Sequence, residues 1–165
     1  MRKTNAARLL LVALSSLAIT SLGSMAAHVR AEVVWVGEAI VKNPSPSCST
    51  EWFAGDFGSS IFRPVIPGSS ENGTVSRLVF SGKNTVIGHE VNAEFSGNVA
   101  YNATLVSPSG IVSTFTSAGG IQNATIIPAS FNANTKALRV RGRVTRFDDI
   151  AGCDVTLDGV YVKQP

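Results

Sequence analysis

The sequence predicts an all-β domain, an antiparallel β-barrel of about eight or nine strands with a two-sheet β-sandwich as the alternative, behind a cleaved signal peptide. Three observations carry that prediction. Beyond residue 31 the chain consists of short runs rich in Val, Ile, Thr and Phe, separated by Gly, Pro, Asn and Ser. No long stretch of it has the 3.6-residue periodicity of a helix. Two cysteines, Cys48 and Cys153, stand just after the first of those runs and at the start of the last.

The leader comes first. Arg2, Lys3 and Arg8 give a positive start, and Leu9 to Ile19 form an apolar core of eleven residues interrupted only by Ser15 and Ser16. Small residues then offer cleavage after Ala26 or after Ala31, the order of a secretory signal peptide. A bilayer crossing needs roughly 20 apolar residues, so the segment is too short for a lasting anchor. The expected organisation is a signal peptide over 1–31 and a single domain over 32–165, periplasmic or extracellular, with no transmembrane anchor after processing. The full chain carries 14 basic and 11 acidic residues. Four of the basic ones (Arg2, Lys3, Arg8, Arg30) precede residue 32, leaving ten against eleven. The basic character belongs to the leader, and a nucleic-acid partner is not expected.

Candidate strands follow at Val33–Lys42, Ser60–Val65, Val75–Ser81, Glu90–Ser96, Val99–Ser107, Ile111–Thr116, Ile121–Ile127, Ala137–Phe147 and Cys153–Lys163. Pro67-Gly68 and Asn72-Gly73 break the chain before Val75, Gly97-Asn98 has the makeup of a two-residue hairpin, and Ser107-Pro108-Ser109-Gly110 that of a tight turn. Gly119-Gly120 opens the next run.

The C-terminal pair specifies its own register. Leu138, Val140, Gly142 and Val144 alternate with Arg139, Arg141, Arg143 and Thr145; Val155, Leu157, Gly159 and Tyr161 alternate with Asp154, Thr156, Asp158 and Val160. A hairpin setting Val144 against Val155 and Leu138 against Tyr161 also sets Arg141 against Asp158 and Thr145 against Asp154. A one-residue slip would put arginines against the apolar set.

An exported chain with two cysteines is expected to join them, and a Cys48–Cys153 disulfide would be structural, since a redox pair is usually close in sequence. The bond requires Cα atoms within about 7 Å. Antiparallel pairing of the first and last strands brings these two positions together, and that pairing closes a sequential meander into a barrel.

The chemistry-bearing residues are few. After processing His89 is the lone histidine, at the start of a candidate strand and expected in an exposed turn. No Gly-x-Ser-x-Gly elbow, P-loop or dinucleotide fingerprint is present, so no cofactor is expected. The cysteine and histidine count supports no zinc site, and the acids at Asp148, Asp149, Asp154 and Asp158 lack EF-hand spacing, so no metal is expected. Two recognition candidates stand out. Arg139, Arg141 and Arg143 form a row on one strand face that suits an anion, unless the neighbouring acids neutralise it. Trp52, Phe53, Asp56 and Phe57 lie in the richest aromatic stretch, suited to glycan or peptide recognition or to plugging one barrel end. Asn72, Asn102 and Asn123 head Asn-x-Thr acceptor sequences for N-glycosylation. The functional expectation is a non-catalytic binding or envelope-associated structural module whose partner is a small ligand, a glycan or a protein. The alternatives are a small hydrolase working through carboxylates or an enzyme inhibitor presenting a loop such as 64–73.

Overall fold

The computed structural model describes residues 32–48, 50–106, 110 and 112–165, with the backbone alone over 112–119. The expected signal peptide over 1–31 and residues 107–109 of the expected tight turn lie outside the described residues. Eight strands make one closed antiparallel barrel in sequence order. They are β1 (Trp35–Lys42), β2 (Phe57–Arg63), β3 (Ser76–Gly82), β4 (Thr85–Val91), β5 (Gly97–Val106), β6 (Val112–Ile127), β7 (Ala137–Val144) and β8 (Val155–Lys163). β1 pairs with β8 from Trp35↔Lys163 to Lys42↔Thr156, so the ring is sealed by the first and last strands. The barrel, rather than the sandwich, is the fold. β7 and β8 meet in the register that their alternation specifies, Val144↔Val155 through Leu138↔Tyr161.

Alternation puts one side chain in two into the lumen. Trp35, Phe62, Leu78, Phe80, Ile87, Leu138, Leu157 and Tyr161 are among the residues buried there. Phe62 packs on Tyr161 at 5.8 Å between ring centroids and on Phe95 at 5.2 Å. The Tyr161 hydroxyl lies 2.9 Å from Ser60 Oγ, which itself donates to the Val79 carbonyl at 2.7 Å. Each buried hydroxyl therefore has a partner.

One end of the barrel is closed by the 43–56 and 145–154 connections. The Cys48–Cys153 disulfide joins them with a Cα separation of 4.7 Å. Ser45 Oγ donates to the Gly152 carbonyl at 2.7 Å and accepts from the Asp154 amide at 2.9 Å. Beneath the bond, Trp52 packs on Phe147 at 5.0 Å and on Phe80 at 5.6 Å. The other end is closed by the 64–75, 92–96 and 128–136 connections. The Asn72 side chain bridges Val33 and Pro64 with three hydrogen bonds, Trp35 Nε1 donates to the Thr135 carbonyl at 2.9 Å, and Phe131 meets Trp35 edge-on.

Three expectations are corrected. Of the run Ile111–Thr116, the described residues from Val112 on belong with Ile121–Ile127 to one strand, β6. Its Gly120 is not a break: a Cβ there would strike the Val99 carbonyl oxygen, so glycine admits a close backbone approach from β5. The tight hairpin is not at Gly97-Asn98 but at Lys83-Asn84, whose φ of 49° and 64° match the left-handed geometry of such turns. Gly97 instead opens β5, and β4 runs over Thr85–Val91 rather than Glu90–Ser96. As a result His89 lies mid-strand and inward, fully buried rather than exposed in a turn.

Two outcomes follow for stability. A Cys48→Ala/Cys153→Ala double variant frees a loop with a sequence separation of 105, and denaturant unfolding should show a loss of about 4–5 kcal/mol. A Cβ at Gly37 would run into the Val160 carbonyl on the sealing strand, so Gly37→Ala should cost on the order of 2–3 kcal/mol in the same measurement.

Candidate functional site

Among the described residues the lumen shows no room for a ligand. The space between Leu78, Phe95, Ile121, Val140, Leu157 and Tyr161 does not admit a water molecule. Eight strands enclose a space that side chains can fill, and here aromatic residues fill it. Binding chemistry is therefore sought at the ends and on the outer face.

The arginine row projects outward from β7. Arg139 grips Asp158 through Nε and Nη2, both at 2.8 Å, and Lys42 Nζ reaches the same carboxylate at 2.8 Å. With only 5% of its side chain exposed, Asp158 is held well below the usual carboxylate range by the Arg139 hydrogen bonds and then by Lys42, against the cost of burial. Arg143 pairs with Asp154 at 2.7 Å. Arg141 faces Asp158 in the ladder, but the carboxylate turns diagonally to Arg139. Arg141 has no ion pair among the described residues.

The aromatic stretch divides. Trp52 is buried and its Nε1 donates to Asp148 Oδ2 at 2.8 Å. Burial pushes the Asp148 carboxyl up against that hydrogen bond, and the neighbouring Glu51 and Asp149 charges add to the rise. Phe53 and Phe57 are 53% and 67% exposed and plug nothing. Asp56 fixes their loop, accepting from the Phe53 amide at 2.6 Å and pairing with Lys83 at 2.6 Å. Lys83 Nζ sits 4.7 Å from the Phe53 ring centroid and 5.3 Å from that of Trp52, a cation–π arrangement that ties the loop to the Lys83-Asn84 turn.

Phe57 belongs to a larger surface that only the strand register reveals. On the outside of the barrel Ile40 pairs with Phe57, and Val36 with Ile61. Across the seal Val36 pairs with Val162, and Glu38 with Val160. Val160 and Val162 are 61% and 55% exposed, and Ile40 and Ile61 are also exposed. β8, β1 and β2 thus present a contiguous apolar face with a shallow depression. Near its middle stands Glu38, exposed and without an ion pair among the described residues. None of these residues except Phe57 was legible as a site candidate from the sequence.

A separate cleft of about 200 Å³ lies at the barrel end, lined by Val65, Pro67, Phe95, Ile126 and Phe131 with one carboxylate, Glu94. Elsewhere the carboxylates are largely engaged, as Arg77–Glu90 at 2.6 Å and Arg146–Asp149 at 2.7 Å illustrate. Of the acceptor asparagines, Asn72 is buried with its amide fully engaged, so glycan attachment there is incompatible with the fold; Asn102 is exposed.

Asp158→Asn should leave the barrel folded but less stable at neutral pH. A folded-state carboxyl held below its unfolded value of about 3.9 stabilises the fold above that pH, and the contribution fades as acid protonates it. Urea unfolding of the wild type should therefore show a stability loss below about pH 4 that the variant lacks. Comparison with protein-family models, with curated proteins and with solved structures finds no match.

Proposed function

We propose that the chain is an exported, non-catalytic barrel that binds a protein partner on the outer face of β8, β1 and β2. The observation that carries this reading is the contiguous set of exposed Ile40, Phe57, Ile61, Val160 and Val162 around the half-buried Val36, on a barrel whose described lumen residues are closely packed. Patches of this kind on a soluble protein mark interaction surfaces. The face is shallow, which suits the surface of another protein better than a small molecule. Glu38, lacking a partner in the middle of the apolar set, calls for a lysine or arginine on the opposing surface. Export is supported by the leader composition and by the formed Cys48–Cys153 disulfide, which belongs to an oxidising compartment.

Basic side chains engage Asp149, Asp154, Asp158 and Glu90, which removes these four as the free nucleophile or base that an acid pair for hydrolysis needs. Phe53, exposed on the loop that precedes Phe57, adds a second ring toward one barrel end.

A photo-crosslinking residue placed at position 160 in the native host tests the reading. The expected result is one discrete protein adduct, lost when Glu38→Lys is added to the same chain while the circular dichroism stays unchanged. Crosslinking from position 126 in the end cleft, with none from 160, would contradict it.

A further inference from the structure

His89 points from β4 into the lumen and is fully buried. The Tyr101 ring meets it edge-on at 4.6 Å, and Phe147 stacks on it at 6.4 Å between centroids. Neither Nδ1 nor Nε2 has a hydrogen-bond partner. A neutral imidazole has one donor and one acceptor to satisfy, so both are carried unsatisfied into the core.

Its position on the barrel gives that burden a consequence. His89 pairs with Ala103, and the β4–β5 ladder ends at the next rung, Glu90↔Asn102. Beyond it the 92–96 connection turns inward to seat Phe95 against Phe62, tied by the Ser76 hydroxyl donating to the Ala93 carbonyl. The first five residues of β5, 97–101, are left with β6 as their ladder partner. Outside the parting strands lies an open depression of about 320 Å³, lined by Val91, Ala93, Val99 and Tyr101 with the polar Glu90 and Asn102. The buried imidazole thus sits one rung from the place where the β4–β5 ladder ends.

We propose that His89 is an acid-sensitive latch: its protonation opens the barrel along the β4–β5 seam while the disulfide-pinned β1, β7 and β8 stay paired. An imidazolium there has two donors to place and, among the described residues, no acceptor bonded to either nitrogen, and the end of the β4–β5 ladder is one rung away. The charged and titratable groups on the packed elements offer no relief. On β5 the Tyr101 hydroxyl donates to the Thr145 carbonyl. On β3 the residue opposite His89 is Leu78, and Arg77 pairs with Glu90 on the outer face. In the 145–154 connection Asp148 accepts from Trp52 and Asp149 pairs with Arg146.

Burial alone lowers His89 from 6.5 to about 4. The open form therefore binds the proton more tightly, and the closed form loses ground as pH falls from about 6.5 to about 4. This window lies above that of Asp158, whose carboxyl is held low. Asp148 works in the opposite direction: its carboxyl is raised by burial, so its protonation favours the closed form.

Hydrogen exchange with peptide resolution, corrected for intrinsic rates, tests the latch on the oxidised protein at pH 7 and pH 5. Amides of 85–91 and 102–106 should lose about twentyfold in protection between those values, as the linkage relation requires, while 35–42 and 155–163 hold theirs. His89→Gln and His89→Leu should each abolish the change, so failure of one variant to fold leaves the other as the control. Equal protection at both pH values, a uniform loss over all eight strands, or the same loss in a folded variant would overturn the proposal. So would a His89 imidazole NMR titration centred near 6.5.

Discussion

The antiparallel pairing of β1 with β8 is the constraint on which the rest of the molecule depends. It joins the two ends of the domain along eight consecutive rungs, and the Cys48–Cys153 bond holds the connections just beyond it. A sheet closed in this way has one inside and one outside. Every strand must then send alternate residues into a lumen about as wide as the side chains themselves. Glycine at position 37 is part of that seal, because the backbone of β8 occupies the space a side chain would need.

Closure divides the chemistry. Trp35, Phe62, Phe80 and Tyr161 take the inside, with Trp52 and Phe147 beneath the disulfide and Phe95 and Phe131 toward the opposite end. Recognition is left to the outside and the rims. There the charges are largely paired: Asp158 is covered by Arg139 and Lys42, and Asp154 is met by Arg143. Against that neutralised surface the apolar face around Val160 and Phe57 and the lone carboxylate of Glu38 stand apart. Inside, His89 is an exception to the same division, a polar group left unsatisfied one rung from the end of the β4–β5 ladder.

Much of the fold was legible in the sequence because parity constrains it. The alternation of Arg139, Arg141 and Arg143 with Leu138, Val140 and Gly142 allows one facing for β7, and that facing sets its register with β8. The cysteine positions then require the chain ends to meet. The middle of the chain was harder to read. Gly97-Asn98 carries a stronger turn signature than Lys83-Asn84, yet the two-residue turn forms at the latter, and the connection before Gly97 is irregular and seats Phe95 against Phe62. The alternation Ile87, His89, Val91 against Gly88, Glu90 was the signal that could have placed His89 inside. The outer face was not legible, since Val160, Val36 and Ile61 become neighbours only once three strands are in register. Phe53 and Phe57 read as plug or platform until burial separated them from Trp52.

A two-dimensional NOE spectrum of the oxidised protein tests the sealed and filled barrel most directly. The account predicts cross-strand contacts between the β1 and β8 backbones around Ala39 and Gly159, together with ring contacts of Phe62 to Tyr161 and Phe95 in the lumen. Absence of the β1–β8 contacts, or lumen side chains that contact water instead of one another, would contradict it.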